Sequence, residues 1–494
     1  MISTDHFKAL FDPRAIVVAG ASTHPGKFGF VALHNILSCG YAGDVFATNR
    51  ERAEVLGRPT FADLTEIPDG VADLMFVCTP AISNPDLLRQ AAAKGIRAAF
   101  IASAGYAESG DEGKHRQAEL VALADELDLL LIGPNGQGLV STPSHLCAQI
   151  VAPYPPPGRI GIASQSGNFV SSFMNLSRQS GVGVSRAISV GNAAQVGVID
   201  MLEYYAEDPE TSVGLVYLEG VTDGREFADR LEAVCRRMPV VIVKGGASGS
   251  GAKAAASHTG SLATDDRVFD GMCRQVGAAR AASVSEAFDI AAAFATLPIP
   301  TGPRLAIVTT VGGWGVLAAD ATATTSLDLV ELPDDLRTTL DGLLPPRWSR
   351  NNPIDLAGGE TKDTVPAVLD AVVGHPDIDA TLVLGMGIQS NQGRLEREGP
   401  FYPEHGLERI VAFHDRQDSR YVEVAVAASV AARKPVLIAS ELAIADPTNA
   451  AVTAVREADR YCFPSAERAV KALSFLYERE RWLASFATEV PVSN

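Results

Sequence analysis

The stretch Ala15-Ile16-Val17-Val18-Ala19-Gly20-Ala21-Ser22 decides the fold class, because an apolar run ends there in a small, glycine-containing turn. An amphipathic segment, residues 28–38, follows the turn and has the spacing of a helix. Further apolar runs at 44–48, 74–78, 98–102 and 129–132 are separated by helical stretches. Strands that alternate with helices predict an α/β fold with a parallel, doubly wound sheet, which binds its ligand at the carboxyl ends of the strands.

Composition limits the classes of function. A length of 494 residues predicts about three domains, and a net charge of -18 argues against nucleic-acid binding. The six cysteines are scattered without a Cys-x-x-Cys pair, which argues against a zinc site and a disulfide framework and favours a reducing compartment. The chain shows neither a signal-peptide pattern nor an apolar run of about 20 residues, so we expect a soluble, cytoplasmic protein without a metal site.

A proline-rich stretch, Pro153–Gly158, predicts a stiff linker between domains. With it as a boundary marker, the alternation of strands and helices predicts three domains, at residues 1–145, 146–298 and 299–494.

The first turn, Gly20–Gly29, is rich in glycine but does not have the spacing of a dinucleotide fingerprint. A nicotinamide enzyme would also carry an acidic residue near the end of the second strand, where this chain has Thr48-Asn49-Arg50. An arginine suits a phosphorylated ribose, and CoA carries a 3′-phosphate. The turn together with Lys27 and Arg50 therefore favours CoA.

Two later turns also open predicted helices. Ser164-Gln165-Ser166-Gly167 follows a predicted strand, and it lacks the flanking glycines of a serine nucleophile elbow. Gly312-Gly313-Trp314-Gly315 follows another predicted strand. Hydroxyls, backbone N–H groups and a positive helix end suit a phosphate, although simple N-capping also explains the serines.

A glycine-rich segment surrounds one imidazole. Residues Lys244–Ala263 read Lys-Gly-Gly-Ala-Ser-Gly-Ser-Gly-Ala-Lys-Ala-Ala-Ala-Ser-His-Thr-Gly-Ser-Leu-Ala, with His258 as the imidazole. The P-loop pattern fails, because Ala252 separates Gly251 from Lys253. Glycines this dense permit many backbone conformations, so the segment is either a mobile arm with a nucleophile or a surface loop without function.

The motif Ser257-His258-Thr259-Gly260-Ser261-Leu262-Ala263 resembles the phosphohistidine segment of nucleoside-diphosphate-forming acyl-CoA synthetases, the superfamily of succinyl-CoA synthetase. Asn352-Pro353-Ile354-Asp355-Leu356 matches the Asn-Pro-x-Asp-Leu segment of that family. The resemblance covers nearly the whole chain. It implies an α/β protein in which a Rossmann-like CoA-binding domain is followed by two flavodoxin-like domains, without an ATP-grasp domain.

The resemblance also implies the site residues. His258 would be the catalytic nucleophile, oriented by Glu219. The implied CoA-binding residues are Gly20, Ala21, Ser22, Lys27, Gly29, Asn49, Arg50, Thr79, Pro80, Ala104, Gly105, Glu108 and Asn135. The implied phosphate-binding residues are Ser164, Gln165, Ser166, Gly167, Gly312, Gly313 and Gly315, on two helices that converge on the phosphohistidine in the family.

The chain departs from the family pattern at a few positions. Gln195 stands where members commonly carry an aspartate, Gly136-Gln137 replaces a different pair, and Trp314 is bulky for its loop. Trp314 either shapes the acid pocket or is a packed interface aromatic. The polar segment 389–421 is longer than typical connections and is interpreted as a variable insertion, at the acid pocket or a subunit contact.

The activity implied by the resemblance is acid + CoA + ATP ⇌ acyl-CoA + ADP + phosphate, through an acyl phosphate and a phosphohistidine. ATP or ADP with Mg would bind an ATP-grasp partner subunit, in a hetero-oligomer with two copies of each chain. The main alternative is a non-catalytic CoA-binding or regulatory protein that kept the fold. A nicotinamide-linked oxidoreductase is disfavoured by Asn49-Arg50. Acetate, a branched or aromatic acid and a dicarboxylate all remain open as the acid.

Overall fold

The computed structural model describes residues 3–151, 153–248, 250–251 and 265–487. It divides into two compact units. The first combines the chain up to Arg178 with Gly183–Ala287, and the second combines Gln179–Val182 with the chain from Phe288 onward. The division into three domains at 145/146 and 298/299 stays a prediction.

The first unit contains two sheets, and the first of them is wholly parallel. Its strands are β1 (Ala15–Ala19), β2 (Asp44–Thr48), β3 (Leu74–Val77), β4 (Ala98–Ile101) and β5 (Leu130–Ile132). They follow the order β2-β1-β3-β4-β5. Strand β2 is added on one side of β1 and strands β3 to β5 on the other, so the strand order reverses between β1 and β3. Strand β1 is buried along its whole length, as an inner parallel strand covered on both faces must be. The predicted α/β fold is confirmed.

The helices around this sheet begin where the turns predict them. They are α1 (Thr4–Phe11), α2 (Phe28–Ser38), α3 (Asn84–Ala93) and α4 (Asp111–Glu126). Helix α2 has the bounds that the periodicity predicts. It follows β1 directly, so the Gly20–Gly29 turn lies at the carboxyl edge of the sheet, beside the point at which the strand order reverses.

The second sheet of this unit follows the order β12-β11-β10-β8-β9-β6-β7. Its strands are β6 (Gly138–Ser141), β7 (Leu146–Gln149), β8 (Pro157–Ser164), β9 (Val184–Ser189), β10 (Val213–Leu218), β11 (Val240–Lys244) and β12 (Ala279–Ala281). Strand β6 pairs antiparallel with β7 and β9, whereas the other pairs are parallel. Strand β6 thus belongs to the second sheet although it precedes residue 145. The associated helices are α5 (Gly167–Ser180), α6 (Val198–Tyr205), α7 (Gly224–Arg237) and α8 (Asp266–Gln275).

The second unit is built on a parallel sheet of the order β14-β13-β16-β17-β18, with β15 paired to β13. Its strands are β13 (Arg304–Thr309), β14 (Asp328–Leu329), β15 (Ile354–Asp355), β16 (Ala380–Leu384), β17 (Val436–Ala439) and β18 (Cys462–Phe463). The helix α9 (Val284–Thr296) leads into this unit.

The remaining helices of the second unit cover this sheet. They are α10 (Gly312–Thr322), α11 (Asp334–Leu343), α12 (Thr364–Gly374), α13 (Ile388–Glu398), α14 (Leu407–Ala432), α15 (Leu442–Ala445), α16 (Ala450–Glu457) and α17 (Ala466–Ala487). The polar segment 389–421 falls in α13, its connection and the first half of α14. Its Val411 and Tyr421 are buried, so the segment contributes to the core of the unit. Across the described ranges, no helix is long and apolar enough to cross a membrane.

A buried arginine joins the amino terminus of the chain to the second sheet. Arg186 of β9 is 2% exposed and forms a bidentate pair with Asp12, at 3.0 Å for both bonds. Its Nε donates to Asp208 at 3.1 Å, and Nη1 also contacts Ser141. The guanidinium lies 5.6 Å from the centroid of the Phe11 ring. Every donor nitrogen of Arg186 therefore has an anionic or polar partner, which offsets the desolvation of the charge.

Replacing this arginine should destabilise the first unit. We expect Arg186→Ala to lower its stability by about 3–5 kcal/mol, because the carboxylates of Asp12 and Asp208 lose their cation in a buried site. The first transition in chemical unfolding, followed by circular dichroism, measures the change. Arg236→Ala removes an exposed helix pair with Glu232 and should shift the transition by less than about 0.5 kcal/mol. Equal effects of the two substitutions would contradict the prediction.

Candidate functional site

A cleft of about 750 Å³ opens at the carboxyl ends of β1, β2 and β3. Its position at the reversal of strand order is where doubly wound sheets bind their ligands. Six of the sequence-predicted CoA residues line it: Gly20, Ala21, Asn49, Arg50, Thr79 and Pro80. Arg50 is exposed and is the single cation among the described residues of the lining.

Two glycines allow the close packing of the turn after β1, which borders this cleft. Gly20 has a φ of +88°, and a Cβ there would lie 2.8 Å from Cγ2 of Thr79. A Cβ on Gly29 would lie 2.0 Å from the carbonyl oxygen of Gly20. Both positions therefore require glycine, because the first turn of α2 packs directly on the β1 turn.

Asn49 holds the two rims of the cleft together. Its Nδ2 donates to the carbonyl oxygen of Ala21 at 2.9 Å, and its Oδ1 accepts the N–H of Glu51 at 2.9 Å. The side chain thus links the turn after β2 to the turn after β1. Asn49 shapes the cleft and leaves Arg50, the next residue, at its mouth.

The structure adds lining residues that the sequence analysis missed. Asp86 and Gln90 lie on the first two turns of α3, and Ser83 directly precedes this helix. Glu51 and Asp63 come from the segment after β2. A possible signal was the Thr79-Pro80 turn, because a helix that follows such a turn presents its first residues to the same sheet edge. The carboxylates among these residues would repel an anion, so Arg50 is the residue of the described lining that would attract one.

The remaining predicted CoA residues do not line the cleft: Ser22, Lys27, Gly29, Ala104, Gly105, Glu108 and Asn135. Lys27 is exposed just before α2. The Oε1 of Glu108 accepts the N–H groups of Gly105 and Tyr106 at 2.5 and 3.0 Å, and its Oε2 accepts Nδ2 of Asn192 at 2.5 Å. Glu108 thus joins the turn after β4 to the turn after β9.

These bonds determine the charge state of Glu108. Burial alone would raise the pKa of its carboxyl, but the hydrogen bonds from Asn192 and from the backbone of Tyr106 and Gly105 outweigh it, so the pKa lies below its usual value. Asn135, with a φ of +63°, donates to Oδ1 of Asn192 at 3.3 Å. Asn192 is therefore the common partner of both residues.

Gln195 has a structural role of its own. Its Oε1 accepts the N–H of Leu131, on the edge strand β5, at 2.7 Å. Its Nε2 donates to Oδ1 of Asp125 at 2.7 Å. An aspartate at this position could not donate to Asp125, so the departure from the family pattern fits the acidic neighbour that this chain carries.

The two predicted phosphate turns are built in the same way. Ser164, the last residue of β8, is buried; its Oγ donates to the carbonyl oxygen of Ser166 at 2.6 Å and accepts the N–H of Ser166 at 3.1 Å. Thr309, the last residue of β13, is equally buried and makes the same pair of bonds with Val311, at 2.8 and 2.9 Å. In both cases the helix begins three residues after the hydroxyl.

Gln165 ties the first of these turns to the predicted partner of His258. Its Oε1 accepts the N–H of Glu219 at 2.6 Å and that of Gly220 at 3.3 Å. Burial, then the charge of Glu219 and a hydrogen bond to it, raise the pKa of Tyr217 to about 12. Glu219 is thereby held at the carboxyl end of β10 by its backbone and by the Tyr217 hydroxyl.

Gln137 lies against the start of α5. A Cβ on Gly167 would come within 2.3 Å of the Gln137 side chain, and Nε2 of Gln137 donates to Oδ1 of Asn168 at 3.4 Å. A larger residue at 167 would therefore displace this glutamine side chain. The departure at position 137 is thus matched by the phosphate turn on which it packs.

The second turn is bordered by the Asn-Pro-x-Asp-Leu segment. Asn352 accepts the N–H of Ile307 at 2.9 Å and donates to the carbonyl oxygens of Leu305 and Val330, at 2.8 and 3.0 Å. It therefore fastens its loop to β13. A Cβ on Gly312 would lie 2.7 Å from Oδ2 of Asp355, so this carboxylate borders the amino terminus of α10.

Gly312 and Gly313 are exposed at this terminus. The N–H of Gly315 is bonded to the carbonyl oxygen of Val311 at 3.3 Å, within the helix. The N–H of Trp314 is bonded to the same oxygen at 3.1 Å, so the donors that the turn can offer to an anion belong to Gly312 and Gly313.

The nucleophile predicted at His258 lies outside the described residues, but both flanks of its segment are described. Lys244, the last residue of β11, has a buried ammonium group 3.7 Å from Oδ1 of Asp266 at the start of α8. Nη2 of Arg280 lies 2.7 Å from the same oxygen. An ion pair thus joins the two ends of the segment 245–265. Among the described residues, no group of three or more His, Cys, Asp or Glu side chains is arranged to hold a metal ion.

Comparison with known proteins identifies the family of the chain. Residues 14–141 match the CoA binding domain, residues 157–294 the succinyl-CoA ligase like flavodoxin domain and residues 305–389 the ligase-CoA domain. Subunit alpha of acetate–CoA ligase [ADP-forming] I from Pyrococcus furiosus is 33% identical over 97% of this chain and 98% of its own length.

The chain belongs to the ADP-forming acyl-CoA synthetases. It is thus an acid–thiol ligase, and the fold inferred from its resemblance is confirmed by the three matched domains, of which none is an ATP-grasp domain. The acetate–CoA ligase [ADP-forming] I of Archaeoglobus fulgidus is 37% identical, and the matched region covers 76% of this chain and 54% of that relative.

A solved structure agrees with this assignment. The dinucleotide-forming acetyl-coenzyme A synthetase 1 of Ca. Korarchaeum cryptofilum, in complex with phosphate and ADP, is 30% identical and superimposes with a TM-score of 0.84. The match covers 99% of each chain. The synthetase described here therefore shares its described architecture with a relative over nearly its full length.

The Glu108 bridge predicts a pH dependence of stability. Because its pKa is depressed in the folded protein, its contribution is present above the unfolded pKa of about 4.3 and is lost as the pH falls through the folded pKa. We expect Glu108→Gln to be less stable than the wild type at pH 7, and the difference to shrink below about pH 4.3. Thermal unfolding across pH measures it. Glu119→Gln, an exposed carboxylate on α4, should track the wild type at every pH. A constant difference for Glu108→Gln would contradict the assignment.

Proposed function

We propose that this synthetase is the alpha-type subunit of a two-subunit ligase, and that it binds CoA, binds the acid and carries the phosphoryl group on His258. The observation that most supports this proposal is the pair of matching turns at Ser164 and Thr309. Each buried hydroxyl bonds within its turn, and the helix that begins at once after the turn would offer its free backbone N–H groups to an anion. A ligase that handles phosphate, an acyl phosphate and a phosphohistidine needs such sites.

The reaction is best written from acyl-CoA. Phosphate attacks the thioester carbon, the carbon–sulfur bond breaks, and CoA leaves as the thiol with the proton from phosphate. A ring nitrogen of His258 then attacks the phosphorus of the acyl phosphate, and the carboxylate leaves. A terminal phosphate oxygen of ADP finally attacks the phosphohistidine, which forms ATP and restores the imidazole. Synthesis of acyl-CoA is the reverse of these three steps, and the covalent intermediate divides one difficult transfer into two.

Glu219 would orient the imidazole. A carboxylate that accepts a hydrogen bond from one ring nitrogen fixes the tautomer and leaves the other nitrogen as the nucleophile. Gln165 holds the backbone of Glu219 and belongs itself to the first phosphate turn. The side chain of Gln165 thus connects the carboxylate proposed to orient His258 with the first predicted phosphate turn. This arrangement suits an imidazole that must accept and release a phosphoryl group.

We further propose an ATP-grasp partner that binds ATP or ADP with Mg, in an assembly with two copies of each chain. The Pyrococcus relative is called a subunit alpha, and this chain spans about half of the Archaeoglobus relative. The name of the Pyrococcus relative supports a nucleotide site on a second polypeptide. The six cysteines are all free thiols, which supports a cytoplasmic location.

CoA binding can be tested at Arg50. We expect Arg50→Ala to weaken CoA about tenfold and 3′-dephospho-CoA by less than about twofold, because the arginine would pair with the 3′-phosphate at the mouth of the cleft. Calorimetric titration of the full chain measures both affinities. Arg58→Ala removes an exposed arginine of the same segment that does not line the cleft, and it should change neither. Tight NADH binding without a response to CoA would contradict the proposal.

The phosphohistidine can be tested directly. When the partner and labelled ATP are supplied, the chain should acquire a label that is stable in base and labile in acid, as expected of a phosphoramidate. His258→Ala should abolish the label and turnover but retain CoA binding, whereas Glu219→Gln should slow labelling.

His115→Ala replaces an exposed histidine of α4 and serves as the matched control, with wild-type labelling expected. Label that survives in His258→Ala, or label that is stable in acid, would place the chemistry on another residue.

A further inference from the structure

A second cleft, of about 400 Å³, lies at the carboxyl ends of β16 and β17 in the second unit. Its apolar wall is formed by Trp314 and Leu317 of α10, Leu384 at the end of β16 and Ala439 at the end of β17. We call it the Trp314 cleft. Helices α10 and α17 pack side by side, so the cleft lies between their first turns. Its volume falls in the range of small-molecule sites, about 300–1,000 Å³.

The position of this cleft relates it to the phosphate turn after β13. Trp314 is two residues after Gly312, which places it about 3 Å further along the helix axis from the α10 terminus. A ligand whose phosphorylated end met that terminus would have the rest of its structure within reach of the Trp314 ring. The same helix can therefore serve both ends of an acyl phosphate.

The polar groups of the cleft restrict what it can hold. Its described lining includes the carboxylates Glu441 and Glu467 and the hydroxyls of Ser440 and Ser465, and it contains no lysine, arginine or histidine. A ligand with a second carboxylate would meet like charges there without a cation to pair with it. An uncharged apolar group would instead pack on Trp314, Leu317 and Leu384, and the removal of its apolar surface from water would stabilise the complex.

We propose that the Trp314 cleft binds the side chain of the acid, and that it selects monocarboxylic acids with an apolar group larger than a methyl, such as an aryl or branched chain. The inference rests on the proposed function, because it assumes that the carboxyl end of the acid is activated at the α10 turn. Trp314 then acts as a specificity-determining residue. The acid pocket and the phosphate turn share one helix of this unit.

Leu317 provides the test, because its side chain is 51% exposed at the rim of the cleft and can be changed without opening the core. Leu317→Glu places a carboxylate against the acyl side chain. Its neighbour Val316 is 60% exposed, lies on the same helical turn and does not line the cleft, so Val316→Glu adds the same charge outside it. Circular dichroism and thermal unfolding of each variant confirm that the second unit, which carries both substitutions, is folded.

The complex of the chain with its partner is assayed for CoA-ester formation from phenylacetate, acetate and succinate. We expect the wild type to have a higher kcat/KM for phenylacetate than for acetate, and to use succinate poorly. Leu317→Glu should reduce kcat/KM for phenylacetate at least tenfold and that for acetate less than twofold, whereas Val316→Glu should change neither by more than twofold.

Three outcomes would overturn the inference while the proposed function stands: a preference for acetate or succinate in the wild type, an equal loss for all acids in Leu317→Glu, or the same loss in Val316→Glu. In each of these the wild type still forms CoA esters and still acquires the label on His258. A wild-type complex that forms no CoA ester and acquires no label would instead overturn the proposed function, and the inference with it.

Discussion

The buried hydroxyl at the end of a parallel strand is the interaction on which both predicted phosphate turns depend. Ser164 and Thr309 each bond to the N–H and the carbonyl oxygen of the residue two positions later. Each hydroxyl thereby closes its turn with two hydrogen bonds to the backbone of one residue. The chain can then pass from strand to helix in three residues, and the helix terminus stays at the edge of the sheet, where a ligand can reach it.

In the first unit, side chains that form hydrogen bonds between turns also fix the positions of the loops at the strand ends. Glu108, Asn135 and Asn192 connect the turns after β4 and β9, and Gln165 connects the start of α5 with Glu219. These groups satisfy backbone donors and at the same time set the relative positions of loops. Several residues to which the resemblance assigns a ligand therefore form hydrogen bonds within the protein. Of the predicted CoA residues, those that line the cleft after β1 are Arg50, Asn49 and the turns around Gly20 and Thr79.

The strands, helices and turn glycines were predictable from local patterns. The apolar run at 15–19 and the periodicity at 28–38 correspond to β1 and α2, since buried parallel strands and amphipathic helices have distinct periods. The polar segment 389–421 was less predictable. Its helices bury only a few side chains in each turn, and its many charged residues suggest a solvated loop. Strand β6 forms a hairpin with β7 but joins the rest of the second sheet through β9, which is distant in sequence, and no local pattern reveals that pairing.

By itself, the sequence determined the α/β class, the family through its histidine and Asn-Pro-x-Asp-Leu motifs, and the three glycine-rich turns at strand ends, because these depend on contiguous residues. Only the tertiary structure decided which predicted residues share the cleft after β1, that Gln195 pairs with Asp125, and that Trp314 lines a cleft with no cation among its described lining residues. The physical reason is that pairing, burial and the lining of a cavity arise between segments far apart in the chain, and their identity follows from how sheets and helices pack.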